Sequence, residues 1–285
     1  MDIYINDVLA NITLDTEKTL GQVLSGIEQW LSSTGTRMSQ IKVNEKLVSG
    51  ATLEAAFNQD IATIKSLKLS VCSYGELALE AYAVLKETCN LYESSAFEER
   101  ESITKVWMES AAARFLLADI PDMYHLASQT FSGSGLLQGL LPQNLMSIIE
   151  ERMRELIEPA GEIAASEEAV RTIAQRMEQL PLDMQTGKDR SAAETIQLFS
   201  GITEKLLRLF SLLTIMKDGS LTTLTIGERS AETFLDEFNA ALSELAAAYE
   251  NKDTVLVGDL AEYELAPRII AFYTALRSIM QNSSS

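Results

Sequence analysis

The spacing of apolar residues changes at residue 73, and that change limits what the chain can fold into. Before it, short stretches alternate polar and apolar with a period of two, the mark of half-buried strands. Asp2-Ile3-Tyr4-Ile5-Asn6 alternates in this way, and Ala10-Asn11-Ile12-Thr13-Leu14 does so again after a turn through Asp7. Thr19 to Leu31 is helical in pattern, with Leu20, Val23, Leu24, Ile27, Trp30 and Leu31 on one face and Gly35 closing it. Ser39–Asn44 predicts a third strand, Lys46-Leu47-Val48 a short fourth, Ala51–Phe57 a short helix and Lys65–Val71 a last strand. After Ser73 the apolar spacing becomes three and four, the seam of helices that pack side by side.

The expectation is an α+β protein: a small N-terminal mixed-sheet domain over 1–72, then a larger all-α helical bundle over 73–285. The stripes are Ala78-Tyr82-Leu85-Cys89-Tyr92, then Ile103-Val106-Trp107-Ala113-Leu117, then Leu145-Ile149-Met153-Leu156 ending at Pro159. Val170-Ile173-Met177-Leu180 follows, stopped by Pro181. Ile196 to Leu213 predicts a long helix ended by Asp218-Gly219, and Leu235-Phe238-Leu242-Leu245-Tyr249 another. Asp253 to Met280 is helical but holds Pro267, which lacks a backbone donor and crowds the carbonyl four residues back, so a kink or two consecutive helices is expected. Ser73–Glu76, Ser95–Glu98 and Ser191–Glu194 fit the S-x-x-E capping box.

The order strand, strand, helix, strand, short strand, short helix, strand resembles the β-grasp (ubiquitin-like) fold. The resemblance spans residues 1–72 and rests on element order. It implies a platform for interaction and not an activity. Sulfur-carrier members of that fold react through a free C-terminal Gly-Gly tail, whereas here the last strand runs into a helix at Ser73.

Charge narrows the partners. The net charge is −18. Residues 1–72 contribute −2 and the rest −16. Such a surface repels phosphate backbones and anionic headgroups, so another protein with a basic or amphipathic surface is the expected partner, and nucleic acid and membrane are not. Cys72 and Cys89 are too few for a disulfide framework and lack CxxC spacing, so both are expected as small buried side chains. The N-terminus carries no basic, apolar leader pattern, and cytoplasm is the expected location.

Catalytic, cofactor and metal residues are not identifiable. His125 stands alone beside Asp119 and Asp122, and one histidine cannot supply the paired Glu-x-x-His ligands of a di-iron bundle. Asp183–Asp189 lacks the spacing of a calcium loop, and Gly133–Gly139 lacks the Gly-Lys-Ser/Thr of a phosphate loop.

Two stretches stand out as partner-binding candidates. Met123 to Ile149 holds no formally charged residue and carries the pairs Leu136-Leu137 and Leu140-Leu141, suiting either a loop folded into the core or a mobile apolar lip. Asp259 and Glu262 share one acidic helical face, next to Tyr263 and the Pro267 kink, suiting a cation, an Arg-rich partner, or a solvated face with an ion pair from Asp259 or Glu264 to Arg268. This second stretch also resembles uncharacterised spirochaete proteins, which implies no activity. The expected function is a non-catalytic adaptor, chaperone-like or assembly protein with an acidic helical docking surface. The alternative is a carboxylate-dependent enzyme or small-molecule binder using Asp259, Glu262 and Tyr263 in an interhelical pocket.

Overall fold

The computed structural model describes residues 1–14, 16–48, 50–132, 141–216 and 224–282. The chain forms two compact units, Met1–Met153 and Arg154–Ser285. The first combines a five-stranded mixed sheet with helices, and the second, among its described residues, is helical apart from one two-residue ladder and short connections.

The sheet is built from β1 (Asp2–Ile5), β2 (Val8–Leu9), β3 (Thr36–Val43), β4 (Lys46–Leu47) and β5 (Ser66–Ser73), in the order β2-β1-β5-β3-β4. β1 and β5 run parallel at the centre, and the other pairs are antiparallel. The two hairpin turns each place two residues at positive φ: Asn6 at 48° with Asp7 at 63°, and Asn44 at 48° with Glu45 at 67°. That backbone matches the right-handed twist of the strands, and Asn tolerates it better than most residues.

Both asparagines also tie down β5. Asn6 accepts from the Val71 N–H at 2.8 Å and donates to the Val71 carbonyl at 3.1 Å. Asn44 accepts from the Lys65 and Ser66 N–H groups at 2.8 and 3.1 Å. One face of the sheet is covered by α1 (Leu20–Ser33), whose Leu20, Val23, Leu24, Ile27 and Leu31 bury against Ile3, Val43, Leu67 and Leu69. α2 (Gly50–Phe57) crosses α1 at Gly21, where an added Cβ would lie 2.6 Å from the Phe57 ring.

The second strand differs from its expectation. It spans Val8–Leu9, and Ala10–Leu14 joins no ladder beyond the Ala10 N–H donating to Ile3 at 2.8 Å. A two-residue turn at Asn6-Asp7 sets the register, so pairing begins at Val8.

α3 (Tyr74–Ser94) starts in a complete capping box: Ser73 Oγ accepts from the Glu76 N–H, and Glu76 accepts from the Ser73 N–H. The Ser95–Glu98 box does not form. The Ser95 hydroxyl donates to the Leu91 carbonyl at 2.6 Å, closing α3, and α4 (Phe97–Met108) begins without a side-chain cap. The stripe from Ile103 to Leu117 is two helices, because Ser110 caps α5 (Ala111–Asp119) through the Ala113 N–H, and Val106 and Leu117 face outward. α6 (Pro121–Phe131) and α7 (Pro142–Ile157) take up both ends of the uncharged segment, so its described residues are helical apart from Ser132 and Leu141. Trp107 stacks on Tyr124 at 5.5 Å and meets the Phe131 edge at 5.3 Å.

In the second unit α8 (Pro159–Ala165), α9 (Glu167–Gln185), α10 (Asp189–Met216) and α11 (Ala231–Glu250) enclose a core centred on Phe199, Phe234, Phe238 and Phe272. Pro181 lies inside α9 instead of stopping it. The neighbouring α12 (Thr254–Asp259) approaches so closely there that a Cβ on Gly258 would sit 2.9 Å from the Pro181 ring. Ser191 is internal to α10 and donates to Asp183 at 2.8 Å, so it caps nothing. A ladder of β6 (Thr225–Ile226) and β7 (Arg229–Ser230), turned at Gly227 with φ 65°, interrupts the helices before Ser230 caps α11.

The kink expected before Pro267 is a π-helical turn, Leu260–Leu265, followed by α13 (Ala266–Asn282). The Ala266 N–H reaches back five residues to the Ala261 carbonyl. This wider register accommodates a proline that cannot donate.

Candidate functional site

A cavity with largely apolar walls lies in the N-terminal module. Helical spacing puts Val23, Gly26, Ile27 and Trp30 on one side of α1, and the unpaired Ala10–Leu14 segment runs opposite, with Ile5 and Glu17 completing the cleft. Its volume is about 580 Å³. Gly26 shapes it: an added Cβ would meet nothing within 4 Å, so this position is open space instead of a packing contact. Trp30 was expected in the α1 core stripe but is 54% exposed at the cleft. Val8, Leu9 and Ile12 are also exposed along the same segment. Exposed large apolar groups gathered beside a cleft indicate a surface built for contact.

Charge is uneven across this module. Residues 1–33 hold Asp2, Asp7, Asp15, Glu17 and Glu28 against a single cation, Lys18. Arg37, Lys42, Lys46, Lys65 and Lys68 all fall in the part that forms β3, β4 and β5. Lys68 is paired to Glu45 at 2.8 Å and lies over the Tyr4 ring at 5.8 Å. Residues 1–33, which supply the cleft's lining, therefore carry a net charge of −4 against +2 for residues 34–72, and Glu17 is the acid among the lining residues.

The acidic cluster expected near Pro267 is brought together, but on the surface. Asp259 ends α12, and Glu262 and Tyr263 occupy the π turn, with Tyr263 66% exposed. A hydrogen bond to Glu262, reinforced by its charge, by slight desolvation and by the charge of Asp259, raises the Tyr263 hydroxyl above its ordinary value. Arg268 makes the ion pair expected with Glu264. It also donates to the Glu264 carbonyl at 3.1 Å, and it reaches Glu237 at 3.6 Å. A groove of about 420 Å³ between α9 and α10 is lined by Glu168, Thr172, Arg176, Leu198 and Ile202, and the acidic cluster is not among its walls.

The other candidates are placed as follows. Leu136, Leu137 and Leu140 lie outside the described residues. Leu141 is 50% exposed just before α7. His125 is exposed on α6, edge-on to Tyr124. Cys89 is fully buried, and burial, with Glu93 adding, pushes its thiol up to about 12. Cys72, expected buried, is half-buried on β5 and donates to Ser39 at 3.3 Å. The carboxyls of Glu76, Glu162 and Asp183 are held below their ordinary values by hydrogen bonds from Ser73, from Lys205, and from Ser191 and Lys188. Among the described residues no helix is long and apolar enough to cross a membrane.

Sequence reasoning passed over the cleft because the alternation of Ala10, Ile12 and Leu14 reads as a strand. Gly26 was the available signal: a glycine on the apolar side of an amphipathic helix, one turn from a tryptophan.

Two family models match the chain. One, described as the TP0873 N-terminal domain, covers residues 1–73, the sheet module and its cleft. The other, a domain of unknown function (DUF8042), covers residues 163–275. An uncharacterized protein of Treponema pallidum (strain Nichols) is 30% identical over 141 residues, 44% of this chain and 69% of the relative. The chain belongs to that protein's family. No solved structure matches it. The family's N-terminal match ends at residue 73, where β5 passes into α3.

Proposed function

We propose that this chain is a non-catalytic interaction protein, an adaptor, chaperone-like or assembly factor, that docks a basic, amphipathic segment of another protein. The docking site is the cleft between Ala10–Leu14 and α1. The observation that carries this reading is the cleft itself, largely apolar in its walls and lined by residues of the net-acidic stretch 1–33. Apolar walls supply burial energy of about 25 cal/mol per Å² covered. Glu17 in its lining, the −4 charge of residues 1–33 and the −18 charge of the whole chain draw a basic partner in and select against acidic ones. In this reading Asp259, Glu262 and Tyr263 add to that attraction and perform no chemistry.

Further features support it. The sheet order β2-β1-β5-β3-β4, with β1 and β5 parallel and one helix across one face, favours the β-grasp reading of the module. The carboxyls of Glu76, Glu162 and Asp183 are lowered by structural hydrogen bonds, whereas a general acid needs a raised value. Two free cysteines fit a reducing, cytoplasmic setting.

The test is a photoactivatable residue at Thr13, in the cleft wall, with the cross-linked partner peptide sequenced. The expected product is a peptide rich in apolar and basic residues, lost when Gly26→Leu fills the cleft. The helix tolerates that change because the position faces open space, and circular dichroism checks it. Adducts scattered over unrelated sequences, or unaffected by Gly26→Leu, overturn the proposal.

A further inference from the structure

We infer that the partner segment binds as an added strand along the open edge of β2, with its alternate side chains entering the cleft. This rests on the cleft being the docking site and adds how the segment is held.

The sheet has two outer strands, β2 and β4. Edge strands expose unpaired backbone groups, and proteins block them with charges, prolines or short length. β4 carries Lys46 and follows Glu45. The stretch Val8-Leu9-Ala10-Asn11-Ile12-Thr13-Leu14 has no charge and no proline, and Val, Ile and Thr favour strands. Val8 pairs with Ile5, and the Ala10 N–H donates to the Ile3 carbonyl. Backbone groups of an antiparallel strand alternate in direction, so the N–H and C=O of Leu9, between those two bonded positions, point away from β1. Beyond Ala10 the segment joins no ladder, although it continues along the cleft. An incoming strand that pairs at Leu9 and continues past Asn11 gains main-chain hydrogen bonds while every second side chain reaches the apolar wall.

The occupant is a basic segment of a different protein. Residues 1–33 carry five acidic side chains against Lys18 alone, and a second copy brings the same acidic stretch and a charge of −18 to the same place.

The experiment uses the full chain and a nine-residue peptide of alternating valine and lysine, followed by nuclear magnetic resonance and amide exchange. The expected result is a shift of the Trp30 indole signal together with at least tenfold slower exchange of the Leu9 and Asn11 amides. The alternating valine–glutamate peptide should give neither. Asn11→Pro, which removes one backbone donor, should weaken binding at least fivefold. A Trp30 shift without amide protection overturns strand addition and leaves the cleft reading standing. No response at Trp30 or at the amides removes both. Equal binding of the glutamate peptide overturns the choice of a basic occupant. Sedimentation of the free chain is expected to give the 31.4 kDa monomer. A dimer whose Leu9 amide is already protected assigns the edge to a second copy and overturns the proposal.

Discussion

The sheet module and the Arg154–Ser285 unit solve the same problem by different means. The helical unit hides large aromatic rings from water: Phe238 lies 6.0–6.4 Å from Phe199, Phe234 and Phe272 and is 1% exposed. It also holds carboxylates inside by pairing them, with Glu162 at 2.6 Å from Lys205 and the nearly buried Glu155 at 3.1 Å from Arg208. The sheet module has no phenylalanine among its buried residues. Its core is aliphatic, and two asparagine side chains fasten its central strand. Both units leave large apolar side chains exposed, Ile157, Leu182, Leu198 and Val255 in the helical unit and Val8, Leu9, Ile12 and Trp30 in the sheet module, where Ile12 and Trp30 line a cleft. The two regions differ in what fills their cores, aromatic rings in one and aliphatic side chains in the other.

The largest expected effect follows from the aromatic core. Phe238→Ala should lower stability by about 3–5 kcal/mol, because it removes a fully buried ring and leaves a cavity that its neighbours fill only in part. Urea unfolding followed by circular dichroism measures it. A loss below about 1 kcal/mol would mean that the core does not depend on this ring and would erase the contrast.

The asparagine turns should give a smaller, separable loss. Asn44→Ala and Asn6→Ala each remove two hydrogen bonds to β5 and place alanine at a φ of 48°, for about 2 kcal/mol each. Asn→Gly at the same positions keeps the backbone freedom and loses only the hydrogen bonds, so it should recover part of the loss. Equal losses for Ala and Gly would show that the side-chain bonds carry the whole effect.

Much of this was legible in residue order and some was not. The period change at Ser73, the Ser73–Glu76 cap and the α1 stripe follow from side-chain spacing and local hydrogen bonding, which a sequence displays directly. Ser95 and Ser191 misled because a serine hydroxyl can equally bond backward to the preceding turn or across to Asp183, and only the fold decides which. Pro181 was taken as a stop, yet it stays in α9, where Gly258 of α12 packs against its ring. The N-terminal cleft was misread for a related reason: alternation records which side chains face an apolar surface, and at Ala10–Leu14 that surface is α1 without a strand ladder. The acidic cluster at the π turn was gathered as its spacing suggested, and its exposure could not be known before the turn was seen.

Acid distinguishes the two regions more gently. Lys205 holds the Glu162 carboxyl below its ordinary value of 4.5, with partial burial opposing and Arg154 adding. The folded state therefore binds this proton less readily than the unfolded chain. The contribution is present above pH 4.5 and is lost as pH falls through the lower folded-state value. Lys205→Gln should flatten the fall of stability below pH 4.5 and change little at neutral pH relative to Phe238→Ala. A slope unchanged by the substitution would show that other carboxyls dominate.

The smallest effect has the opposite sign and bears most directly on the cleft. Gly26 lies mid-helix, facing open space, whereas Gly21 in the same helix lies against Phe57. Alanine is favoured over glycine in a helix interior by about 0.5–1 kcal/mol, so Gly26→Ala should stabilise the module by that amount. At Gly21 the same change forces the Phe57 ring to shift and should destabilise. If Gly26→Ala raises stability while weakening the valine–lysine peptide, glycine is kept at this position for access to the cleft at a cost in stability. If it raises stability and leaves binding unchanged, the cleft tolerates a methyl group and the contact lies nearer Ile12 and Trp30.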